Sequence, residues 1–343
     1  MKSTFRATTK DDLPNICAFL QRVFETGPHP AFLAPEVMLW KYWAHRDDWT
    51  EPRSYVLEKG SSIVAHAGIW PVTFGGGAQA IRGLQIIDWA AAKDSPGAGL
   101  TLVQKLAAMF DFIYSVGGSE ATQKVLPAFG FVKYAREWNG ARPIRPVRQI
   151  LTHQTRNWKL APRLLRNYFL SKHKTMHQND SWQAEEIAAH QIAADLVSPQ
   201  ASFSPRTPAF FKYLVSCPVT RFHCYRIRNA NEQQGHFAIG VLRGQARLAG
   251  VWLRDTSPQS WRMAYTIAQR TAANLPCAYE FVAAGTEGAS AEAAALSGLR
   301  ITRGSIVYLL NKPGRLNLPQ DFQFQLSDHD GVFLDSGKPS YWT

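Results

Sequence analysis

The sequence predicts an α/β protein built from two tandem copies of one domain. The chain has 343 residues, of which 45% are apolar and 19% are charged, a composition typical of globular proteins. Because a domain commonly holds roughly 100–200 residues, this length indicates two domains. Helical and strand-like apolar patterns alternate along the first half, and landmarks of that half recur in the same order in the second.

The first half opens with two predicted helices followed by strands. Asp11 or Asp12 can cap the first helix, Pro14 suits its first turn, and apolar residues follow at helical spacing as far as Leu20. A second short helix is predicted over residues 35–43. Apolar runs bounded by turn residues then predict three strands, at 54–58, 63–72 and 80–92.

A loop at 93–99 leads into the main helix of this half. Its apolar positions 102, 103, 106, 109 and 110 fall on one helical face. Gly130 suits the C′ position of a later helix, where a left-handed backbone is needed. The remaining predicted elements are a strand at 112–116, a helix at 119–129 and a strand at 131–138.

Four landmarks of the first half recur in the second, which indicates a duplication. The matched pairs are Trp40-Lys41-Tyr42 with Phe211-Lys212-Tyr213, Asp94-Ser95-Pro96 with Thr256-Ser257-Pro258, Tyr114 with Tyr279, and Gly130 with Gly298. We therefore predict a first domain at 1–140, a basic linker at 141–180 and a second domain at 181–343.

Positive charge is concentrated between the two predicted domains. The net charge is +12, and such a protein attracts phosphorylated cofactors, nucleic acid or a membrane surface. Residues 139–179 hold nine Lys and Arg residues and no Asp or Glu. We interpret this segment as a solvated connector, with peripheral contact to an anionic membrane as the alternative. Nucleic acid is not an expected partner.

No metal or targeting signal stands out. Cys17, Cys217, Cys224 and Cys277 form no CxxC pair and lack zinc-ligand spacing, so we expect reduced thiols and no metal site. No apolar run approaches the ~20 residues that span a bilayer, and the first residues lack the apolar stretch of a signal peptide. We expect a cytoplasmic protein.

The loop before the main helix is the strongest chemical signal. Gly97 and Gly99 lie at the start of that helix, where unpaired amides and the helix dipole can bind a phosphate or pyrophosphate. A P-loop would need Lys-Ser/Thr after Gly99, and a dinucleotide fingerprint would need glycine where Leu102 stands. A tight turn without a ligand is the alternative interpretation of the two glycines.

This element order, with Gly97, Gly99 and the closing motif Ala128-Phe129-Gly130-Phe131, resembles the GNAT superfamily of N-acyltransferases. The resemblance covers residues 1–138 and, more weakly, 185–311. It implies two GNAT-like domains, each a mixed, mostly antiparallel sheet flanked by helices. It also implies acetyl-CoA or another acyl-CoA as cofactor. Asp94 stands where the family has Gln or Arg, with Lys93 beside it, and Leu126 stands where many members have a Tyr acid.

The resemblance implies site residues around this loop. A backbone amide of Trp89, Ala90 or Ala91 would stabilise the oxyanion, and the loop would hold the pyrophosphate. Candidate bases are Asp88, His66 and Glu120, the last of which can also cap its helix. The full set of predicted cofactor-binding residues is Trp89, Ala90, Ala91, Lys93, Asp94, Ser95, Pro96, Gly97, Ala98, Gly99 and Leu100.

The second copy differs at the loop. It reads Ser257-Pro258-Gln259-Ser260-Trp261, without either glycine, so we expect no CoA there. The predicted function is transfer of an acetyl or other acyl group to an amine or hydroxyl of a small molecule. By resemblance, that acceptor is an amino sugar of surface-polysaccharide synthesis. The alternatives are a Fem-type aminoacyl transferase that uses aminoacyl-tRNA, and a catalytically inactive binding module.

Overall fold

The chain forms two compact units. The computed structural model describes residues 3–74, 81–153, 158, 160–172, 181–192, 206–230, 232–311 and 323–343. Unit 1 comprises Met1–Ala135, Ile306–Leu318 and Asp328–Asp330. Unit 2 comprises Arg136–Ser305, Pro319–Ser327 and Gly331–Thr343. The limits of the predicted linker stay a prediction.

Unit 1 contains the predicted elements of the first half. Its strands are β1 (Ser3–Ala7), β2 (Ser54–Lys59), β3 (Ser62–Phe74), β4 (Ile81–Ala91), β5 (Phe112–Val116) and the first residues of β6 (Val132–Pro143). Its helices are α1 (Leu13–Val23), α2 (Pro35–Trp43), α3 (Ala98–Met109) and α4 (Glu120–Val125). A 3-10 turn over Leu126–Phe129 extends α4, and Gly130 ends it with a φ of 84°, which confirms the predicted C′ position.

Unit 2 repeats this order. Its described helices are α5 (Pro146–Leu151), α6 (Leu160–Lys172), α7 (Pro208–Val215), α8 (Pro258–Asn274) and α9 (Ala289–Leu296). Its strands are β7 (Trp182–Ile187), β8 (Arg221–Asn229), β9 (Glu232–Leu242), β10 (Gln245–Leu253), β11 (Glu280–Thr286) and β12 (Arg300–Asn311), of which only residues 300–305 belong to this unit.

Each unit has a mixed, mostly antiparallel sheet. In unit 1 the strand order is β1-β2-β3-β4-β5, and residues 307–311 of β12 pair with β5. In unit 2 the order is β7-β8-β9-β10-β11, and residues 137–143 of β6 pair with β11. Only the β4–β5 and β10–β11 pairs are parallel among these. The closing strand of each repeat therefore completes the sheet of the other unit.

The parallel pairs fix the correspondence between the repeats. Gly83 pairs with Phe112 in unit 1, and Gln245 pairs with Glu280 in unit 2. Phe112 therefore corresponds to Glu280, and Tyr114 corresponds to Val282. The predicted match of Tyr114 with Tyr279 was wrong by three residues, because a shared Tyr is a weak marker of register.

The core of unit 1 lies on both faces of its sheet. Leu102, Val103 and Leu106 of α3 pack with Tyr55, Leu57 and other residues of one face. The opposite face meets α1 and α2, whose Ile16, Leu20 and Trp40 are buried. The four cysteines are free thiols. In the described part of the chain, no group of His, Cys, Asp or Glu could hold a metal ion, and no helix there has the length and hydropathy to cross a bilayer.

Candidate active site

The glycine loop of unit 1 is open to solvent. Gly97 is exposed and precedes α3 with a φ of 81°, in the left-handed region that favours glycine. A Cβ added at this position would meet no atom within 4 Å. No described side chain therefore fills the space next to the turn.

The loop satisfies only some of its backbone amides internally. The N–H of Ser95 donates to the carbonyl of Ala92 (3.1 Å), and the N–H of Ala98 donates to the carbonyl of Ser95 (3.1 Å). No hydrogen bond to a described residue is recorded for the N–H groups of Gly97, Gly99 and Leu100. Three neighbouring donors at the positive end of α3 thus lack a partner among the described residues, the first of them on exposed Gly97 and the second on buried Gly99.

Gly99 has a packing role as well. A Cβ there would lie 3.2 Å from the Cβ of Ala91 and 3.3 Å from Nε1 of Trp89. Glycine therefore lets the start of α3 approach the end of β4 closely. The buried indole N–H of Trp89 has no hydrogen-bond partner among the described residues, so this strand end carries one more uncommitted donor.

The strand before the loop separates from its parallel neighbour. β4 pairs with β5 only from Gly83 to Gln85, although β4 continues to Ala91. A bulge places Asp88 and Trp89 opposite Ala67 of β3, and Asp88 has a φ of 47°. Such a bulge re-aims side chains and interrupts the ladder. The last residues of β4 thus run to the glycine loop without pairing to β5, and we call the gap between these two strands the crevice.

Asp88 lies in a buried ion pair. Its carboxylate accepts hydrogen bonds from the Lys41 Nζ (2.5 Å) and the Tyr42 hydroxyl (2.5 Å), and both donors are almost fully buried. Burial alone would raise the pKa of Asp88, but the Lys41 ammonium and the two hydrogen bonds outweigh it and lower the pKa. Asp88 is therefore an ionised, fully engaged carboxylate.

His66 joins the same cluster through its ring. Its Nε2 lies 3.0 Å from Ser54 Oγ, and its Nδ1 lies 3.0 Å from the backbone carbonyl oxygen of Asp88. Burial lowers the pKa of His66 to about 4. The structure thus brings together two of the predicted bases, with both ring nitrogens of His66 occupied.

The third predicted base, Glu120, is not part of this cluster. It lies in the first turn of α4, as expected for a helix-capping charge, and its side chain is exposed. Its recorded partner is Lys124, at 2.7 Å. Nothing among the described contacts ties Glu120 to Asp88 or to the glycine loop.

A residue of the C-terminal segment, Asp330, lies beside this cluster in unit 1. Its N–H donates to Gln85 Oε1 (3.0 Å), and its Oδ1 accepts from Gln85 Nε2 (3.3 Å). The carbonyl of Asp328 accepts from the Tyr114 hydroxyl and fixes the same segment. No partner is recorded for Oδ2 of Asp330 among the described residues. Sequence reasoning missed Asp330 because an irregular segment carries no periodic signal.

The surroundings of Asp330 favour its protonated form. Burial raises the pKa of this carboxyl, the neighbouring His329 opposes that effect, and the negative charge of Asp88 adds to it. Asp330 and Asp88 are therefore two carboxyls with pKa values moved in opposite directions, a pattern that recurs at acid–base sites.

A cleft of about 900 Å³ adjoins the loop, within the size range of ligand sites. Ala92, Lys93, Asp94 and Ser95 form one wall, and residues of α1 and of the β2–β3 turn form the others. Lys93, one of the predicted cofactor-binding residues, is exposed and pairs with Glu25 at 2.5 Å.

The corresponding loop of unit 2 satisfies its own amides. Ser257 caps α8 by accepting from the N–H of Ser260 (3.3 Å). Asp255 in turn accepts from the hydroxyls of Ser257 and Ser260, both at 2.6 Å. Trp261, which replaces the second glycine, is buried and stacks on Tyr265. This helix terminus already has the anionic partner that an outside phosphate would provide.

The crevice of unit 2 is also filled from within. Gln325 Oε1 accepts from the N–H of Val251 in β10 (2.6 Å), and its Nε2 donates to the carbonyl of the same residue (3.0 Å). On β11, the N–H of Thr286 donates to the carbonyl of Phe324 (3.1 Å), and Gly285 bridges to Gln325. Residues 324–325 thus lie between the two parallel strands.

The polar cluster is lost in unit 2 as well. The pairing registers match His66 with His236 and Asp88 with Gly250. A Cβ at Gly250 would lie 2.6 Å from the Trp252 ring, and that ring stacks on His236. Neither ring nitrogen of His236 has a partner among the described residues. Only unit 1 retains the buried carboxylate at the bulge.

Comparisons with known proteins agree on the fold. A scan of protein-family models finds no match, and a search of curated proteins finds none. A GCN5-related N-acetyltransferase from Anabaena variabilis is similar at a TM-score of 0.56 and 11% identity, over 90% of this chain and 72% of that one. A tandem GNAT protein from the clavulanic acid biosynthesis pathway is similar at a TM-score of 0.55 and 9% identity. The match covers 90% of this chain and 98% of that one.

These likenesses establish the architecture. The chain has the tandem GNAT fold, two GNAT-like units in one polypeptide, as the sequence predicts. At 7–12% identity the likeness extends to the fold alone.

Proposed function

We propose that this chain, whose two units have the GNAT fold, transfers an acyl group from acyl-CoA to an amine or hydroxyl of a small molecule. The observation that supports the proposal most is the open loop of unit 1. The N–H groups of Gly97, Gly99 and Leu100 have no recorded partner among the described residues. A helix start of this kind binds phosphate groups, and the diphosphate of CoA is such a ligand.

The crevice beside the loop would then hold the thioester. β4 leaves β5 after Gln85, so the pantetheine arm could lie along residues 88–91. The amides at the bulge, of Trp89, Ala90 and Ala91, are the proposed donors to the oxyanion of the tetrahedral intermediate. Acetyl-CoA is the cofactor to test first.

We assign the proton-accepting role to Asp330 rather than to the three bases predicted from the sequence. Asp88 is held by Lys41 and Tyr42, and both ring nitrogens of His66 are occupied. Asp330 has one carboxylate oxygen held by Gln85 and a raised pKa. A base works best when its pKa lies near the working pH. The Asp88 cluster would keep the bulge in place.

In this scheme the acceptor nitrogen attacks the thioester carbonyl carbon. A C–N bond forms, the C–S bond breaks, and its electron pair leaves with the CoA sulfur. Asp330 takes the proton that the amine loses and returns it to solvent, from which the thiolate is protonated. The acceptor we propose to test first is an amino sugar, glucosamine, with hydroxylamine as a small substitute.

The experiment is calorimetric titration with acetyl-CoA, followed by an assay of free thiol release with glucosamine or hydroxylamine. We expect binding and acceptor-dependent release of CoA. Binding without transfer to any acceptor would favour a catalytically inactive binding module. Absence of binding at high acetyl-CoA concentration, together with salt-sensitive binding of tRNA, would favour an aminoacyl-tRNA user.

A further inference from the structure

A group of exposed apolar side chains lies on α5, on α6 and in the segment between them, all within unit 2. Their side chains are 48–78% exposed, whereas large apolar residues are usually covered. We call this group the α5–α6 surface. It consists of Val147, Leu151, Trp158, Leu165, Tyr168 and Phe169.

The buried contact between the two helices is made by polar side chains. Asn167 of α6 donates to Gln149 Oε1 of α5 (2.9 Å), and both residues are fully buried. On α6, Leu165, Phe169 and Lys172 follow at spacings of four and three, so they share one side of the helix. The apolar residues of the α5–α6 surface therefore lie outside this buried contact.

Cations surround the apolar residues. Arg148, Arg166 and Lys172 are exposed, and no Asp or Glu occurs from 139 to 179. The Lys172 Nζ lies 5.6 Å from the centre of the Tyr168 ring, so this cation is next to one of the apolar side chains. A lysine can lay its apolar stem on such a surface and keep its ammonium in water, which suits the boundary between lipid and water.

We infer that the α5–α6 surface docks the protein on an anionic lipid bilayer. A surface with Trp, Phe and Leu among Lys and Arg suits the headgroup region, where apolar side chains enter the acyl boundary and cations meet lipid phosphates. α6 has 13 residues, or about 20 Å of helix, against a hydrocarbon core of about 30 Å. It is therefore too short to cross the bilayer, and the proposal places it in the plane of the membrane surface. This inference does not rest on the proposed acyl transfer.

The test is co-sedimentation of the full chain with vesicles of phosphatidylcholine alone, or of equal parts phosphatidylcholine and phosphatidylglycerol. We expect binding to the anionic vesicles and little to the neutral ones. The double variant Leu165→Ser/Phe169→Ser should lose most of this binding. Lys172→Glu should lower the partition coefficient at least about fivefold, since each cation near such a surface contributes on the order of that factor.

Leu296→Ser is the matched control, because Leu296 is a similarly exposed apolar residue (56%) on α9 of unit 2. It should bind vesicles like the unmodified protein. Circular dichroism and the melting temperature verify that each variant is folded. Equal binding by Leu165→Ser/Phe169→Ser, or no preference for anionic lipid, would overturn the inference. So would a dimer in solution that this variant converts to monomer, since the surface would then be occupied by a second copy.

Discussion

The Gln85 carboxamide holds Asp330 at two points. Its Oε1 accepts from the Asp330 N–H at 3.0 Å, and its Nε2 donates to Asp330 Oδ1 at 3.3 Å. This pairing joins a strand residue to one that lies 245 positions later in the chain. It places a carboxyl with a raised pKa beside the buried Asp88 cluster.

The substitution Asp330→Asn should remove the base of the proposed reaction. We expect kcat with hydroxylamine to fall about 10²-fold or more, a common size for general-base catalysis, while the affinity for acetyl-CoA stays unchanged. The pH profile of kcat/KM should lose its acidic limb, because that limb reports the carboxyl that must be ionised. Since the pKa of Asp330 is raised, the limb should lie above the range of an ordinary aspartate.

Asp335→Asn is the control for that experiment. Asp335 belongs to the same C-terminal segment, but it pairs with Arg243 in unit 2 at 2.6 Å. Asp335→Asn should keep the kcat and the pH profile of the unmodified protein. If Asp330→Asn retained the full rate and the acidic limb while acetyl-CoA bound normally, the role of Asp330 would be refuted and acyl transfer itself would stand.

Asp88→Asn should destabilise unit 1 strongly. Lys41 would be left buried without its counter-ion, a change that costs about 3–5 kcal/mol in comparable pairs. The pKa of Asp88 is lowered by its partners, so its contribution to stability is present above the unfolded-state pKa and is lost as pH falls through the folded-state value. Urea unfolding at neutral pH measures the effect, and a loss below about 1 kcal/mol would contradict the buried pair.

The histidines at equivalent positions should respond in opposite ways to replacement by Phe. His236→Phe removes a buried ring without recorded partners and should stabilise the protein by about 1–2 kcal/mol. His66→Phe removes the contacts with Ser54 and Asp88 and should destabilise it. Urea unfolding of the two variants provides the comparison, and a destabilising His236→Phe would argue against an unpaired ring.

The buried His236 also predicts that the stability of the protein depends on pH. Burial lowers the pKa of His236 to about 3, against about 6.5 in the unfolded chain. The unfolded state therefore binds the proton first, and stability declines as pH falls from about 6.5 towards about 3. His236→Phe should flatten this decline, and an unchanged slope would show that the ring titrates normally.

One acetyl-CoA should bind per chain. In unit 2, Ser257 and Asp255 accept hydrogen bonds at the helix start, and Gln325 accepts from the N–H of Val251. Calorimetric titration should therefore give a stoichiometry of one. Two equivalents per chain would show that the second crevice opens.

The sequence predicted most of what is local. Pro14, the glycine loop, the amphipathic α3 and the Gly130 helix end each carry a signal within a few residues, and all appear in the structure. The duplication could be recognised because short motifs, such as Lys41-Tyr42 and Lys212-Tyr213, occur in the same order in both halves. The contact between His66 and Asp88 could not be predicted, because it depends on strand register and on the bulge at Asp88.

The long-range features could not be predicted. Asp330 lies in a segment without regular periodicity, so nothing in the sequence places it near Gln85. Residues 307–311 of β12 pair with β5. The alternation of apolar residues marks them as a strand but does not say which sheet they join. Gln325 likewise reads as an ordinary polar residue until its contacts with Val251 are seen.

The role of the glycine loop can be measured as the acetyl-CoA affinity of two matched variants, Gly97→Asp and Gln259→Asp. These residues occupy the equivalent loop positions of units 1 and 2. Aspartate tolerates the left-handed backbone of Gly97 better than most residues do, so we expect the fold to be kept, with urea unfolding as the check, while the added negative charge repels the CoA diphosphate. We predict at least about a tenfold loss of affinity, 1.4 kcal/mol, for Gly97→Asp and none for Gln259→Asp. Equal affinity in Gly97→Asp, Gln259→Asp and the unmodified protein would contradict the account.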